Sequence, residues 1–143
     1  MINVEYCTDG YNLVRVEISS FGDLKKQLTE IQDATKDVYS CPFSADVVIA
    51  DIGRISIGLA EQTVLCYCSA DFNKQLTAVG DMSAEGSVMF YFGDYSIMSA
   101  KYVVPYSLAL EILEYWIMTG KLSDMVEWTG EILNNATVPL SYI

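Results

Sequence analysis

Between Val47 and Val103 the sequence falls into six short segments, most of them separated by turn signals. Val47-Val48-Ile49-Ala50 is continuously apolar, Ile55 to Leu59 alternates, and Thr63 to Cys68 is β-branched and aromatic. Gln75 to Val79 is a weaker fourth segment. In the fifth, Val88, Phe90 and Phe92 share one face and Met89 and Tyr91 the other; the sixth returns from Tyr95 to Val103. A side-chain period of two belongs to strands, because successive residues point to opposite faces. Asp51-Ile52-Gly53-Arg54, Ala70 to Lys74, Asp81 to Gly86 and the two residues Gly93-Asp94 supply the reversals. Consecutive short strands with tight turns form an antiparallel meander.

Helical periodicity appears on either side of this region. Asn12 to Ile18 alternates Leu13, Arg15 and Glu17 against Val14, Val16 and Ile18, a strand with one apolar face. Ser20 then opens a helix, with Asp23 as a weak capping-box partner. Phe21, Leu24, Leu28 and Ile31 form its stripe, and it ends near Thr35-Lys36, ahead of the loop marked by Cys41-Pro42. A second helix begins at Pro105, a residue tolerated at the first helical position. Leu108, Ala109, Ile112, Leu113, Trp116 and Ile117 line it, and Gly120 closes it. Met125 to Trp128 reads as a short strand, and the stretch through Pro139 to Ile143 has no clear pattern. The expected fold is α+β: a single antiparallel sheet with two packed amphipathic helices, in one domain spanning 1–143.

Composition excludes several chemistries. With no histidine, neither a Ser-His-Asp triad, a Cys-His dyad nor a histidine-ligated zinc site can be assembled. Eight basic against nineteen acidic residues leave a net charge of −11, which repels nucleic-acid phosphate and attracts basic protein surfaces. The first residues, Met1 to Glu5, lack the basic start and apolar run of an export signal, and no apolar run reaches the roughly 18–20 residues that span a bilayer. The expected compartment is the cytoplasm, where Cys7, Cys41, Cys66 and Cys68 would be free thiols.

Each chemical candidate has a plainer reading. Cys66-x-Cys68 puts two thiols on one strand face, but zinc needs four ligands and Cys7 and Cys41 lack paired spacing; buried thiols are the better account. Glu111 and Glu114 could approach one another on a helix, yet they occupy its polar face. Acids at strand ends and turns (Asp46, Asp51, Asp71, Asp81, Glu85, Asp94) lack the Asp-x-Asp-x-Asp-Gly pattern of a calcium loop. Gly53 and Gly58 bracket a strand without the spacing of a phosphate loop. Tyr91, Tyr95, Tyr102 and Tyr106 suit sheet packing, with an interface as the sharper alternative. Trp116 and Trp128 read as core. No catalytic constellation, metal site or cofactor site emerges.

One stretch is more specific. Val104-Pro105-Tyr106-Ser107-Leu108-Ala109, the helix through Trp116, Thr119-Gly120-Lys121, and then Val126-Glu127-Trp128 resemble the immunity protein 1 family of bacterial polymorphic toxin systems. The resemblance covers roughly Asp46 to Trp128, while Met1 to Pro42 matches only as a strand followed by a helix. Lys121 to Asp124 lacks the arginine-proline often seen in the family, and Ile117-Met118 stands where a basic residue is common. In such a family Pro105, Trp116, Gly120 and Trp128 are architectural. The resemblance implies a non-enzymatic immunity protein, as found in contact-dependent growth inhibition, that binds and neutralises a cognate toxin domain. Family toxins include deaminases and other enzymes directed at nucleic acid.

A toxin of that kind carries a basic cleft, which an acidic domain can occlude. Asp51, Asp71, Asp81, Glu85 and Asp94, with Tyr91 or Tyr95 as aromatic anchors, are the candidate contacts. The partner is expected to be a basic protein, with no nucleic acid, membrane or small-molecule substrate bound. The competing reading is an acidic nucleic-acid mimic that inhibits another defence or host enzyme.

Overall fold

The computed structural model describes residues 1–7, 11–38 and 40–133. A hairpin of β1 (Ile2–Cys7) and β2 (Leu13–Ile18) leads into α1 (Phe21–Thr35). The meander follows as β3 (Ser44–Ile49), β4 (Gly53–Gly58), β5 (Gln62–Thr63), β6 (Leu65–Ser69) and β7 (Gln75–Val79). A second hairpin, β8 (Ser87–Tyr91) and β9 (Tyr95–Ser99), precedes β10 (Val104–Pro105), α2 (Tyr106–Thr119) and β11 (Glu127–Thr129). Seven strands form the main sheet in the order β11-β7-β6-β4-β3-β1-β2, all antiparallel, so the architecture is α+β.

Both helices cover one face of that sheet. Leu24, Leu28 and Ile31 of α1 and Ala109, Ile112, Leu113 and Trp116 of α2 join a single core with Val4, Val47, Ile55, Ile57 and Leu65. Local chemistry sets the helix ends. Ser20 Oγ accepts from the Asp23 amide at 3.0 Å. Asp23 Oδ2 in turn accepts from Ser19 N at 3.2 Å, one residue further back than a capping box would place it. Gly120 takes the left-handed conformation (φ 73°) and donates its N–H to the Trp116 carbonyl at 2.7 Å. Tyr67 meets the Trp116 ring edge-on at 6.3 Å, tying the meander to α2.

Several details differ from the sequence reading. A strand, β1, precedes Asn12 and supplies the partner that β2 lacked; β2 itself is an edge with Leu13 and Val14 exposed. The expected strand from Thr63 to Cys68 is broken at Val64, whose side chain turns into a satellite core with Phe90 and Tyr102. The strand from Tyr95 stops at Ser99, because Ser99 Oγ accepts from Lys101 N and starts a 3-10 turn over Ala100–Tyr102. The turn between β8 and β9 has three residues rather than two, since Tyr91 pairs with Tyr95 and Phe92 N bonds Asp94 O. Pro105 precedes α2 instead of opening it; held extended at ψ 142°, it pairs with Gln62 in β10–β5. Trp128 packs against the core only partly buried, donating Nε1–H to Ser123 O at 2.9 Å. Pro139 to Ile143 lies outside the described residues.

The β8–β9 hairpin leaves the main sheet and docks on its flank. Its expected two faces are both used: Val88, Phe90 and Phe92 pack with Val64 and Tyr102, while Met89 and Tyr91 pack with Cys41 and Phe43. Tyr91 N donates to Pro42 O at 2.9 Å and Ser44 Oγ to Tyr91 O at 2.8 Å, fixing the hairpin to the start of β3.

Candidate interaction surface

The turn-borne acids lie on the surface at three places. Asp51, between β3 and β4, and Asp71, between β6 and β7, share one end of the sheet, where Ala70 N bonds Ile52 O at 3.1 Å. Asp81 and Glu85 lie in the segment entering β8, beside Lys101, whose carbonyl accepts from Asp81 N at 3.1 Å. Asp94 stands at the far tip of the β8–β9 hairpin next to Tyr95, which is 45% exposed. Tyr91 is buried, stacked on Phe43 at 4.9 Å and edge-on to Tyr95 at 5.3 Å. The five acids therefore do not converge on one spot.

Two of these carboxylates are pinned by their own turns. Asp71 Oδ1 accepts from Ser69 Oγ (2.7 Å) and Asn73 N (3.0 Å), and these bonds hold its carboxyl below the usual range. Asp81 Oδ1 accepts from Ser83 Oγ (2.6 Å) and Ser83 N (2.9 Å), with the same effect, aided by nearby Lys101. Hydrogen bonds to the ionised form favour it.

The sheet face away from the helices carries a polar ladder that the sequence did not reveal. Arg15, Glu5, Asp46, Ser56, Cys66 and Thr77 are successive register partners across it. Arg15 Nε lies 2.9 Å from Glu5 Oε2, and Arg54 Nη1 lies 3.0 Å from Asp46 Oδ2 and 3.7 Å from Glu5 Oε1. Ser56 Oγ donates to Asp46 Oδ1 at 2.6 Å. Cys66 and Cys68 sit on this face and are only partly buried, because the register turns Leu65 and Tyr67 toward the core instead. Burial pushes the Cys66 thiol up to about 11, so at neutral pH it is a thiol and a poor nucleophile. Within the ladder two acids, Glu5 and Asp46, are paired with two arginines, Arg15 and Arg54. Glu111 and Glu114 face solvent on α2. Among the described residues no cluster of His, Cys, Asp and Glu could hold a metal ion, and no helix is long and apolar enough to cross a membrane.

Several grooves indent the surface. One of about 450 Å³ runs between the start of α2 and the β7–β11 edge, lined by Met82, Leu108, Met125 and Val126 and by the acids Asp81 and Glu127. Another, of about 530 Å³, lies over the open sheet face, bordered by Phe72, Leu76 and Ile132 and by the acid Glu131. A smaller cleft of about 230 Å³ opens where the β8–β9 tip approaches the sheet, with Leu13 and Phe92 near Glu5 and Asp46.

The family model of Immunity protein Imm1 matches residues 14–130, from the second residue of β2 to the residue after β11. The match begins well before Asp46, so β2 and α1 belong to the shared pattern together with the meander and α2. No curated protein matches the chain.

Proposed function

The chain belongs to the Imm1 family of immunity proteins, and we propose that its partner is a bacterial toxin domain directed at nucleic acid, such as a nuclease or deaminase. It acts as one domain over residues 1–143, in the cytoplasm of a cell engaged in contact-dependent competition. It neutralises the toxin by covering the basic region around the active site and performs no reaction of its own. One observation carries this reading: a chain of net charge −11 sets Asp51, Asp71, Asp81, Glu85 and Asp94 on exposed turns, while its two arginines are engaged within the sheet ladder. Such a surface attracts a cationic cleft, and a pre-fixed carboxylate such as Asp81 needs little ordering on contact. Tyr95, braced from behind by Tyr91, is the aromatic anchor at the hairpin tip.

The direct test is co-expression with the toxin domain encoded immediately upstream. Cells carrying both should grow and yield a stable complex, while the toxin alone should arrest growth. A purified chain that neither binds this domain nor protects against it would refute the proposal.

A further inference from the structure

Resting on that reading, we infer that the docking surface is the groove between α2 and the β7–β11 edge, and that its occupant is a toxin segment offering an apolar side chain flanked by lysine or arginine. The groove combines two exposed apolar side chains with two carboxylates in its lining. Met82 and Met125 expose 54% and 48% of their surface on its walls, so two large apolar side chains stand in water at one place. Their thioethers are flexible and polarizable, suited to moulding around a partner. The pairing of Glu127 with Val79 brings them together from distant parts of the chain. Leu108, from the first turn of α2, completes the apolar lining.

The charge on this groove is negative and in part already ordered. Asp81 and Glu127 line it, and Asp81 is fixed by the Ser83 amide and hydroxyl. Lys101 is close, yet its ammonium donates to the Ala84 carbonyl at 2.8 Å and not to the Asp81 carboxylate. Apolar walls with ionised carboxylates complement a segment that is apolar at its centre and cationic around it. The backbone beneath is stiff: Gly80 and Asp81 both donate to the Lys101 carbonyl, and a Cβ on Gly80 would collide with the Val103 carbonyl. By contrast, the acids of the smaller cleft, Glu5 and Asp46, are already bound to Arg15 and Arg54. Phe72, exposed near the Asp51–Asp71 end, borders a depression of about 80 Å³ and, with exposed Ile132, a groove of about 530 Å³ whose lining holds a single carboxylate, Glu131.

The test uses the full chain and the upstream-encoded toxin domain carrying an inactivating active-site substitution. Met82→Glu and Met125→Glu should each weaken the complex roughly 30-fold or more. Met118→Glu, on α2 but away from the groove and 78% exposed, should leave affinity within about threefold. Hydrogen exchange on the wild-type complex, which needs no variant to fold, should show slowed amides around Met82, Leu108 and Met125. Wild-type affinity in both groove variants, or protection confined to other segments, overturns the inference while leaving the function intact. A concentration-dependent homodimer that Met125→Glu dissolves, with toxin binding unchanged, also overturns it, assigning the groove to a second copy. A wild-type chain that ignores the toxin instead removes the functional reading beneath it.

Discussion

Phe90 of β8 lies against Gly58 of β4 so closely that a Cβ on the glycine would stand 2.6 Å from the ring Cδ1. Phe90 is buried and closed in by Val64 and Tyr102, so its ring has nowhere to retreat. This contact, with the Pro42 and Ser44 bonds to Tyr91, locates the β8–β9 hairpin on the sheet. Gly58→Ala should therefore destabilise the fold by about 1–3 kcal/mol, as overpacking does. Urea unfolding of the variant would show it as a lower midpoint at unchanged slope. An unaltered midpoint would mean that the hairpin can shift without cost.

The ladder on the open sheet face should respond asymmetrically to mutation. Glu5 keeps only 8% of its side chain exposed and faces both Arg15 and Arg54, whereas Arg15 is 61% exposed. Removing Glu5 leaves the two guanidiniums without their shared acceptor, so Glu5→Ala should cost about 1–3 kcal/mol. Removing an exposed partner costs little, and Arg15→Ala should cost less than about 1 kcal/mol. Chemical unfolding of both variants, with the double variant for coupling, measures the difference. Equal losses would show that the burial of Glu5 contributes nothing.

Acid should weaken the two pinned turns. The carboxyls of Asp71 and Asp81 are lowered by hydrogen bonds from Ser69 and Asn73, and from Ser83. A carboxyl that is more acidic folded than unfolded stabilises the fold fully above the unfolded value, near 3.9, and loses that contribution as pH falls through the folded value. Wild-type stability should thus fall below about pH 4 more steeply than that of an Asp71→Ala, Asp81→Ala double variant. Parallel pH profiles would mean the turns do not hold these bonds in solution.

Cys66 should mark the alkaline side. Burial chiefly, with some repulsion from Asp46, raises its thiol to about 11, against a partial opposing effect of the Thr77 hydroxyl. Its contribution to stability is complete below the unfolded value, near 8.5, and is lost as pH rises through about 11. In the folded protein at pH 8, iodoacetamide should modify Cys66 far more slowly than in urea, read site by site by mass spectrometry. Equal rates in both states would contradict the burial argument.

What the sequence made legible was local. Ser20 and the stripe from Leu24 to Ile31 announce α1 within a dozen residues, and Ala109 to Gly120 does the same for α2, because capping and a 3.6-residue period act between near neighbours. The meander was legible for the same reason, its turns lying beside its strands. Period-two patterning does not name a strand's partner, so the departure of β8–β9 from the main sheet was hidden. The alternation of Ile2, Val4 and Tyr6 was present too, but becomes a strand only through β2 and β3. Pairing also creates the two surfaces that were missed: Glu5 meets Arg54 through β3, and Met82 meets Met125 through β7 and β11. The turn acids were readable as exposed, but their separation into three places was not.

Salt should separate steering from anchoring in the toxin complex. Exposed acids far from the contact act over distances comparable with the Debye length, about 10 Å at 0.1 M, and so govern how fast partners meet. Raising salt from about 50 to 300 mM should slow association several-fold while changing dissociation little. Asp51→Asn and Asp71→Asn, at the end of the sheet away from the groove, should reproduce part of that loss in the association rate alone. Neutralising Asp81 or Glu127 should also speed dissociation, since their charges would be desolvated on contact; truncating one partner of such a pair costs about 2–5 kcal/mol. Surface plasmon resonance across a salt series gives both rates. Association rates that ignore salt would show that negative potential does not steer the encounter, leaving shape as the sole basis for recognition.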